Sequence, residues 1–329
     1  MAKIYLDEDA DLTLLTDKTV GIFGYGNQGR SQALNLRDSG VNVIIGSIHD
    51  RSYEQAIEDG FEVFDLSEAA SRSDFLFLLI PDEIMPAVFD EHLAAGVEPG
   101  NSLVFASGYN ITYKLIKHPE TVDILMLAPR MVGHGVREMY LNGEGFPSLI
   151  AVDQDASGQA LERCLALAKG IGSTSMGALM SSFREETLID LFAEQVGGAY
   201  AIRRYFEVLT EAGCGPEAIL LEFYASGEII SIARAYRDMG LWAQMGTHSR
   251  TSQYGQEVTS QLTDEQEQAA KEPLREVIKN LENGSFAKEW SAEQKAGFPV
   301  WNQVREDNLQ HPMVLAEREL YRKLGRLKD

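Results

Sequence analysis

Between residues 19 and 153, short apolar runs alternate with longer segments whose apolar residues recur at helical spacing. The runs TVGIFG (19–24), VNVIIG (41–46), EVFD (62–65), DFLFLLI (74–80), SLVFAS (102–107), DILMLA (123–128) and SLIAVD (148–153) read as strands. Most are continuously apolar, as strands covered on both faces are. The segments 28–39, 51–59 and 83–95 between them have helix length. Strand–helix alternation at this spacing predicts a mainly parallel, doubly wound sheet.

Near residue 180 the pattern changes. Leu188, Leu191, Phe192, Val196, Ala199 and Ile202 recur at helical spacing between Phe183 and Gly213. Gly213 and Gly215 punctuate, and Pro216 stands where the first position of a new helix fits. Helical patterns continue through 217–239, 263–282 and 310–326 without a convincing strand. The fold class expected is therefore α/β plus all-α, with an α/β domain over residues 1–181 and an all-helical domain over 182–329.

Composition narrows the function classes. Asp and Glu number 50 against 29 Lys and Arg, a formal charge of -21, which repels phosphate backbones and anionic membranes. Two cysteines, Cys164 and Cys214, make neither a disulfide framework nor a zinc motif. The opening MAKIYLDEDADL is acidic where a signal peptide is basic and then apolar. The run FLFLLI (75–80) is far short of a membrane span. The expectation is a soluble, cytoplasmic protein.

Gly24-Tyr25-Gly26-Asn27-Gln28-Gly29 is a G-x-G-x-x-G. Composition alone gives about 0.2 such hits in a chain like this, so the context must carry the argument. Here the motif follows the strand TVGIF directly and opens a helical segment that ends at Gly40. In a dinucleotide site the first Gly makes the tight turn and the second admits the pyrophosphate. The third lets helix and strand pack closely, and the helix N-terminus faces the anion. The loop after the second strand, from Ser47 to Ser52, bears on the choice of cofactor. Asp50 suits a ribose 2′-hydroxyl, whereas Ser47, Arg51 and Ser52 suit a 2′-phosphate. The balance favours NADPH, with NADH as the alternative.

Asp190 and Glu194 lie four apart on one helix face, an oxygen pair that suits Mg²⁺. At this acidic content about 7–8 such pairs arise by chance, so spacing alone does not separate them from a solvated surface. Glu222 is equally unremarkable by itself.

Longer stretches are more specific. GYGNQGRSQALNLRDSG (24–40), LLIPDE (78–83), VDQDASGQA (152–160), FREETLIDLFAEQ (183–195), SQYG (252–255) and NGSFAKEW (283–290) resemble the short, class I ketol-acid reductoisomerases, end to end. The resemblance implies a Rossmann domain followed by a knotted helical domain, NADPH, two Mg²⁺ ions and obligate homodimers with shared sites, higher oligomers included. Asp190 and Glu194 match metal ligands of one subunit, and Glu222 matches the first of two glutamates from its partner. Pro81 and Gly108 join the glycine motif, Ser47, Arg51 and Ser52 in the cofactor set.

Departures from the family pattern fall where the chemistry is. The family's F-[AS]-H-G-F-N is Phe105-Ala106-Ser107-Gly108-Tyr109-Asn110, so the active-site His is Ser107. The family's A-P-K-x-P-G-H is Ala128-Pro129-Arg130-Met131-Val132-Gly133-His134, so the active-site Lys is Arg130. The second partner glutamate is Ser226, which Glu228 could replace only through a helix irregularity at Gly227. Ser249 matches the serine that holds the substrate carboxylate, across a short insertion. Serine does not take up a proton at neutral pH as imidazole does, and Arg is a poor proton donor. The expected function is a stand-alone NAD(P)H reductase on this scaffold, acting on an imine or 2-keto acid, with the isomerase step lost. Two alternatives are a working Mg²⁺-dependent ketol-acid reductoisomerase and a non-catalytic cofactor-binding paralogue. Tyr109 is a candidate proton donor; His134 a loop support; His49 an exposed neighbour of the adenosine; and Cys164 a core residue.

Overall fold

The computed structural model describes residues 2–327. Two compact units cover residues 1–190 and 191–329. In the first, nine strands form one sheet: β1 (Ile4–Tyr5), β2 (Thr19–Phe23), β3 (Asn42–Gly46), β4 (Glu62–Phe64), β5 (Phe75–Leu78), β6 (Ser102–Phe105), β7 (Asp123–Pro129), β8 (Ser148–Gln154) and β9 (Ala178–Met180). Their spatial order is β1-β9-β8-β7-β6-β5-β2-β3-β4. The stretch β4-β3-β2-β5-β6-β7 is parallel throughout. It starts in the middle at β2, runs outward one way through β3 and β4, and then restarts at β5. That order is the dinucleotide-binding one, and its reversal between β2 and β5 opens a crevice at the carboxyl ends of those strands.

Every predicted strand is present. The continuous apolar runs sort by period two onto two cores, one on each face of the sheet. Val20, Ile22, Phe75, Phe77, Val104, Leu125 and Leu127 enter one core. Phe23, Leu76, Leu78, Leu103, Phe105, Ile124 and Met126 enter the other. β8 runs antiparallel to β7, and β1 antiparallel to β9. β1 and β9 are too short to stand out as apolar runs, and neither is foreseen from the sequence.

The segment 83–95 is not one helix. A short α-helix at Met85–Val88 gives way to a π-turn at Phe89–Leu93 and a 3₁₀ turn at Ala94–Gly96. Pro86, which lacks an N–H, sits in its first turn.

The second unit is helical, and no strand follows Met180 among the described residues. The periodicity that runs from Phe183 to Gly213 is two helices, Phe183–Gln195 and Ala199–Glu211, parted at Gly197-Gly198. The pattern over 217–239 is also divided. Pro216–Leu220 passes into a π-turn at Leu221–Ala225, Gly227 takes φ +86°, and Glu228–Met239 begins afresh. Asp264–Glu282 starts with a Thr263–Gln266 capping box, and Pro312–Lys323 starts on its proline. Phe206, Ile219, Leu220, Ala225 and Leu320 form the main buried cluster of this unit, and Met245, Leu281 and Ala287 are buried apart from it. Among the described residues no helix is long and apolar enough to cross a membrane.

Candidate active site

The crevice at the strand reversal is a cavity of about 580 Å³, within the range of cofactor and small-molecule sites. Gly24, Tyr25, Gly26, Asn27 and Gln28 form one wall; Ser47, Ile48, Asp50 and Ser52 another; Pro81, Asp82, Ala106 and Ser107 close it. Each glycine of the motif meets a different demand. Gly24 has φ +96°, and a Cβ there would lie 2.7 Å from the Leu79 carbonyl oxygen. A Cβ on Gly29 would lie 1.9 Å from the Gly24 carbonyl oxygen, so helix Asn27–Asp38 packs on the turn itself. A Cβ on Gly26 would meet nothing within 4 Å, which leaves the backbone open toward the cavity. This wall is anchored by Gln28 Nε2, which donates to the Met131 carbonyl at 2.9 Å.

At the β3 end, Asp50 caps helix Arg51–Glu58. Its Oδ1 accepts from Ser52 N at 2.9 Å, Ser52 Oγ at 2.6 Å and Tyr53 N at 3.1 Å, which together hold its carboxyl below the usual range. Ser47 and Ser52 face the cavity with their hydroxyls 3.5 Å apart, whereas Arg51 is not part of the wall. His49 is exposed and stacks on Tyr53, with ring centroids 4.3 Å apart.

The loops after β5, β6 and β7 carry a continuous polar line. Asn110 Nδ2 donates to Asp82 Oδ1 at 3.0 Å, and the Ser107 hydroxyl donates to the same carboxylate. Ser107 Oγ in turn accepts from Tyr109 N at 3.2 Å. Gly108 N donates to Glu186 Oε2 at 2.7 Å, and Arg130 Nη2 donates to Glu186 Oε1 at 2.8 Å. Arg130 Nη1 donates to Asp190 Oδ1 at 3.0 Å. The guanidinium thus bridges a fully buried carboxylate and a half-exposed one. Burial pushes the Glu186 carboxyl up, against Gly108 and Arg130, which favour its charged form.

Asp82 and Glu186 are the two groups that sequence reasoning missed. Glu186, Asp190 and Glu194 form one stripe along helix Phe183–Gln195, four residues apart, and that spacing was the available signal. Asp82 gave no periodic signal at all.

Other candidates are placed as follows. Gly108 is packed against the Phe183 carbonyl, where a Cβ would come within 2.1 Å, and does not line the cavity. Tyr109 is also absent from the wall. Its buried hydroxyl has no hydrogen-bond partner, and burial pushes it up to about 12. His134 is exposed in a separate hollow with Asn27 and Arg137. Cys164 is buried in the core as expected. In the second unit Glu222 is exposed in the π-turn, and Ser226 Oγ accepts from Glu228 N at 3.3 Å across the Gly227 break. A helix break at Gly227 thus separates Glu228 from Glu222. Ser249 caps helix Arg250–Tyr254 by accepting from Ser252 N at 3.3 Å. Among the described residues no three His, Cys, Asp or Glu side chains gather into a metal cage.

A parallel sheet with a glycine turn at its reversal point, opening on a polar wall, defines a nicotinamide-dependent oxidoreductase of the Rossmann class. The comparisons with known proteins give the family. Residues 14–177 match the acetohydroxy acid isomeroreductase NADPH-binding domain, and residues 183–325 match the ketol-acid reductoisomerase C-terminal domain. The chain belongs to the ketol-acid reductoisomerase family. A Saccharolobus solfataricus protein carrying that name with the number 3 is 47% identical over 325 residues, 97% of either chain. The ketol-acid reductoisomerase (NADP(+)) of Methanopyrus kandleri is 43% identical over 330 residues, 99% of either chain. The solved structure of an NADH-preferring ketol-acid reductoisomerase from an uncultured archaeon superposes with a TM-score of 0.90 at 38% identity, covering 97% of this chain and 98% of that one.

Proposed function

We propose that this protein is a working ketol-acid reductoisomerase, which moves an alkyl group within an acetohydroxy acid and reduces the resulting 2-keto acid. The observation that carries this reading is an end-to-end family match in which Asp190 and Glu194 stay one turn apart on helix Phe183–Gln195. Relatives above 40% identity that bear the family name favour it over the loss of isomerisation expected from the sequence. They equally favour it over a non-catalytic paralogue.

In this reading Gly24 to Gly29, Ser47, Ser52 and Pro81 hold the dinucleotide, and Arg51, outside the wall, reaches a 2′-phosphate only from the rim. The oxygen-only pair Asp190 and Glu194 fits Mg²⁺ and would hold it from one subunit, with Glu222 and either Ser226 or Glu228 completing the set from a second copy. Bound NADPH supplies hydride, and bound Mg²⁺ supplies polarisation of the substrate oxygens. Ser107, Arg130 and Ser249 contact the substrate; Gly108 and Tyr109 support that wall from behind. A second copy is supported by the helical unit, whose buried core is small beside its exposed Ile230, Trp242, Val300 and Trp301.

One observation favours a second reading, reduction without isomerisation. Asp190 already holds the Arg130 guanidinium at 3.0 Å, a fixed cation beside a carboxylate that the metal needs. NADPH oxidation separates the two readings. Acetolactate consumed only with Mg²⁺, and not after chelation, is the outcome expected of the reductoisomerase. Turnover of the 3-hydroxy-2-keto acid that migration would produce, with none on acetolactate, would leave a reductase alone.

A further inference from the structure

Asp82 is an ionisable side chain of the cavity wall to which the proposed function gives no role. Its surroundings are built rather than incidental. Asn110, which is 1% exposed, donates from Nδ2 both to Asp82 Oδ1 at 3.0 Å and to the Asp82 carbonyl at 3.2 Å. Ser107 Oγ accepts from the Tyr109 N–H, and its hydroxyl is hydrogen-bonded to the Asp82 carboxyl. Both Asp82 and Ser107 face the space in which the nicotinamide and the reacting carbonyl must meet. We propose that Asp82 is the proton-holding residue of the reduction step, working through the Ser107 hydroxyl. The inference rests on reduction at this cavity and holds whether or not isomerisation precedes it.

The groups that face Asp82 suit the role. Glu83 beside it and Glu186 from helix Phe183–Gln195 both oppose a charge on Asp82, while Tyr109 presents a phenol whose ionisation is pushed up. Arg130, the cation of this region, is engaged by Glu186 and Asp190. Burial foremost, then the two glutamates, raises the Asp82 carboxyl to about 6, although Ser107 and Asn110 pull the other way. A carboxyl poised there exchanges its proton near neutrality, as a general acid must.

The step balances as follows. Bound NADPH would supply the hydride for the new C–H bond, leaving the carbonyl π pair on oxygen for this chain's residues to protonate. With Asp82 protonated, the Ser107–Asp82 hydrogen bond runs the other way: Asp82 donates to Ser107 Oγ, the substrate oxygen takes the Ser107 hydroxyl proton, the Asp82 proton replaces it, and Asp82 recovers a proton from solvent.

Two measurements test this. The first is the pH profile of kcat for reduction of the 3-hydroxy-2-keto acid. Wild-type protein should lose rate as pH rises through about 6. Asp82→Asn should remove that limb and lower kcat by roughly 10²–10⁴-fold, Asp82→Glu should restore both in part, and Ser107→Ala should match Asp82→Asn without adding to it. The second needs no substrate: difference infrared spectra of the whole protein should show a carboxylic-acid band that titrates near 6, disappears in Asp82→Asn and moves in Ser107→Ala. An unchanged limb in Asp82→Asn, or no such band, overturns the proposal. A band that titrates and responds to Ser107→Ala in a protein that reduces no keto acid would sink the proposed function and support the Asp82–Ser107 proton pair.

Discussion

Glu186 is one residue on which the site and the stability of its unit meet. Fully buried, its carboxylate survives there because the Gly108 amide and the Arg130 guanidinium each take one oxygen. Arg130→Ala removes the cation and leaves that charge with a single donor, at a cost of about 3 kcal/mol, which urea denaturation will report. Asp82 gives a pH signature of opposite origin. Its folded carboxyl sits near 6, above the unfolded value of about 4, so the folded state binds the proton more tightly. It therefore adds stability at low pH that is lost as pH rises through its folded value. Denaturation midpoints should fall across that window in the wild type and flatten there in Asp82→Asn. None of this was legible beforehand. A chain with 50 acids presents many helical acid pairs, and only packing against the ends of β6 and β7 makes Glu186 different from its neighbours.

At the level of elements, the glycine turn separates binding from folding. Gly29→Ala drives a methyl group into the Gly24 carbonyl and should destabilise the domain by about 1–3 kcal/mol. A Cβ on Gly26 meets no protein atom within 4 Å, so Gly26→Val should leave the melting temperature nearly unchanged. It fills the space a pyrophosphate needs, so NADPH affinity measured by fluorescence should fall roughly 10–100-fold. A Gly26→Val protein that binds NADPH normally would show that the turn is only a fold device. The motif and its strand were readable because local sequence determines them: a strand, a positive φ and a helix start lie within a few residues. Breaks inside long helical patterns were harder. The π-turn at Leu221–Ala225 keeps apolar residues in phase by tertiary packing, and periodicity alone cannot reveal the extra residue it accommodates. β9 exists by pairing with β8, and β1 by pairing with β9 at the sheet edge, contacts such as that between residues 4 and 179 that no local pattern carries.

For the whole molecule, the helical unit is the part whose apolar surface is out of balance. Its main buried cluster is Phe206, Ile219, Leu220, Ala225 and Leu320, with Met245, Leu281 and Ala287 buried apart from it, while Val208, Ile230, Trp242, Val300 and Trp301 remain exposed in the single chain. A surface of that kind on a chain carrying a formal charge of -21 needs a specific partner, because net charge opposes indiscriminate association. The second copy proposed above would satisfy both conditions by covering these apolar residues. Placing carboxylates in that face by Ile230→Glu and Trp242→Glu together should shift the protein from dimer or larger to monomer in sedimentation velocity. The variant should still bind NADPH, whose proposed cradle lies wholly in residues 1–190, yet lose turnover of acetolactate, because the proposed site takes Glu222 and its neighbours from the second copy. A wild-type monomer with full acetolactate turnover would refute the shared site. A monomeric variant that keeps its rate would show instead that one chain holds the whole catalytic set.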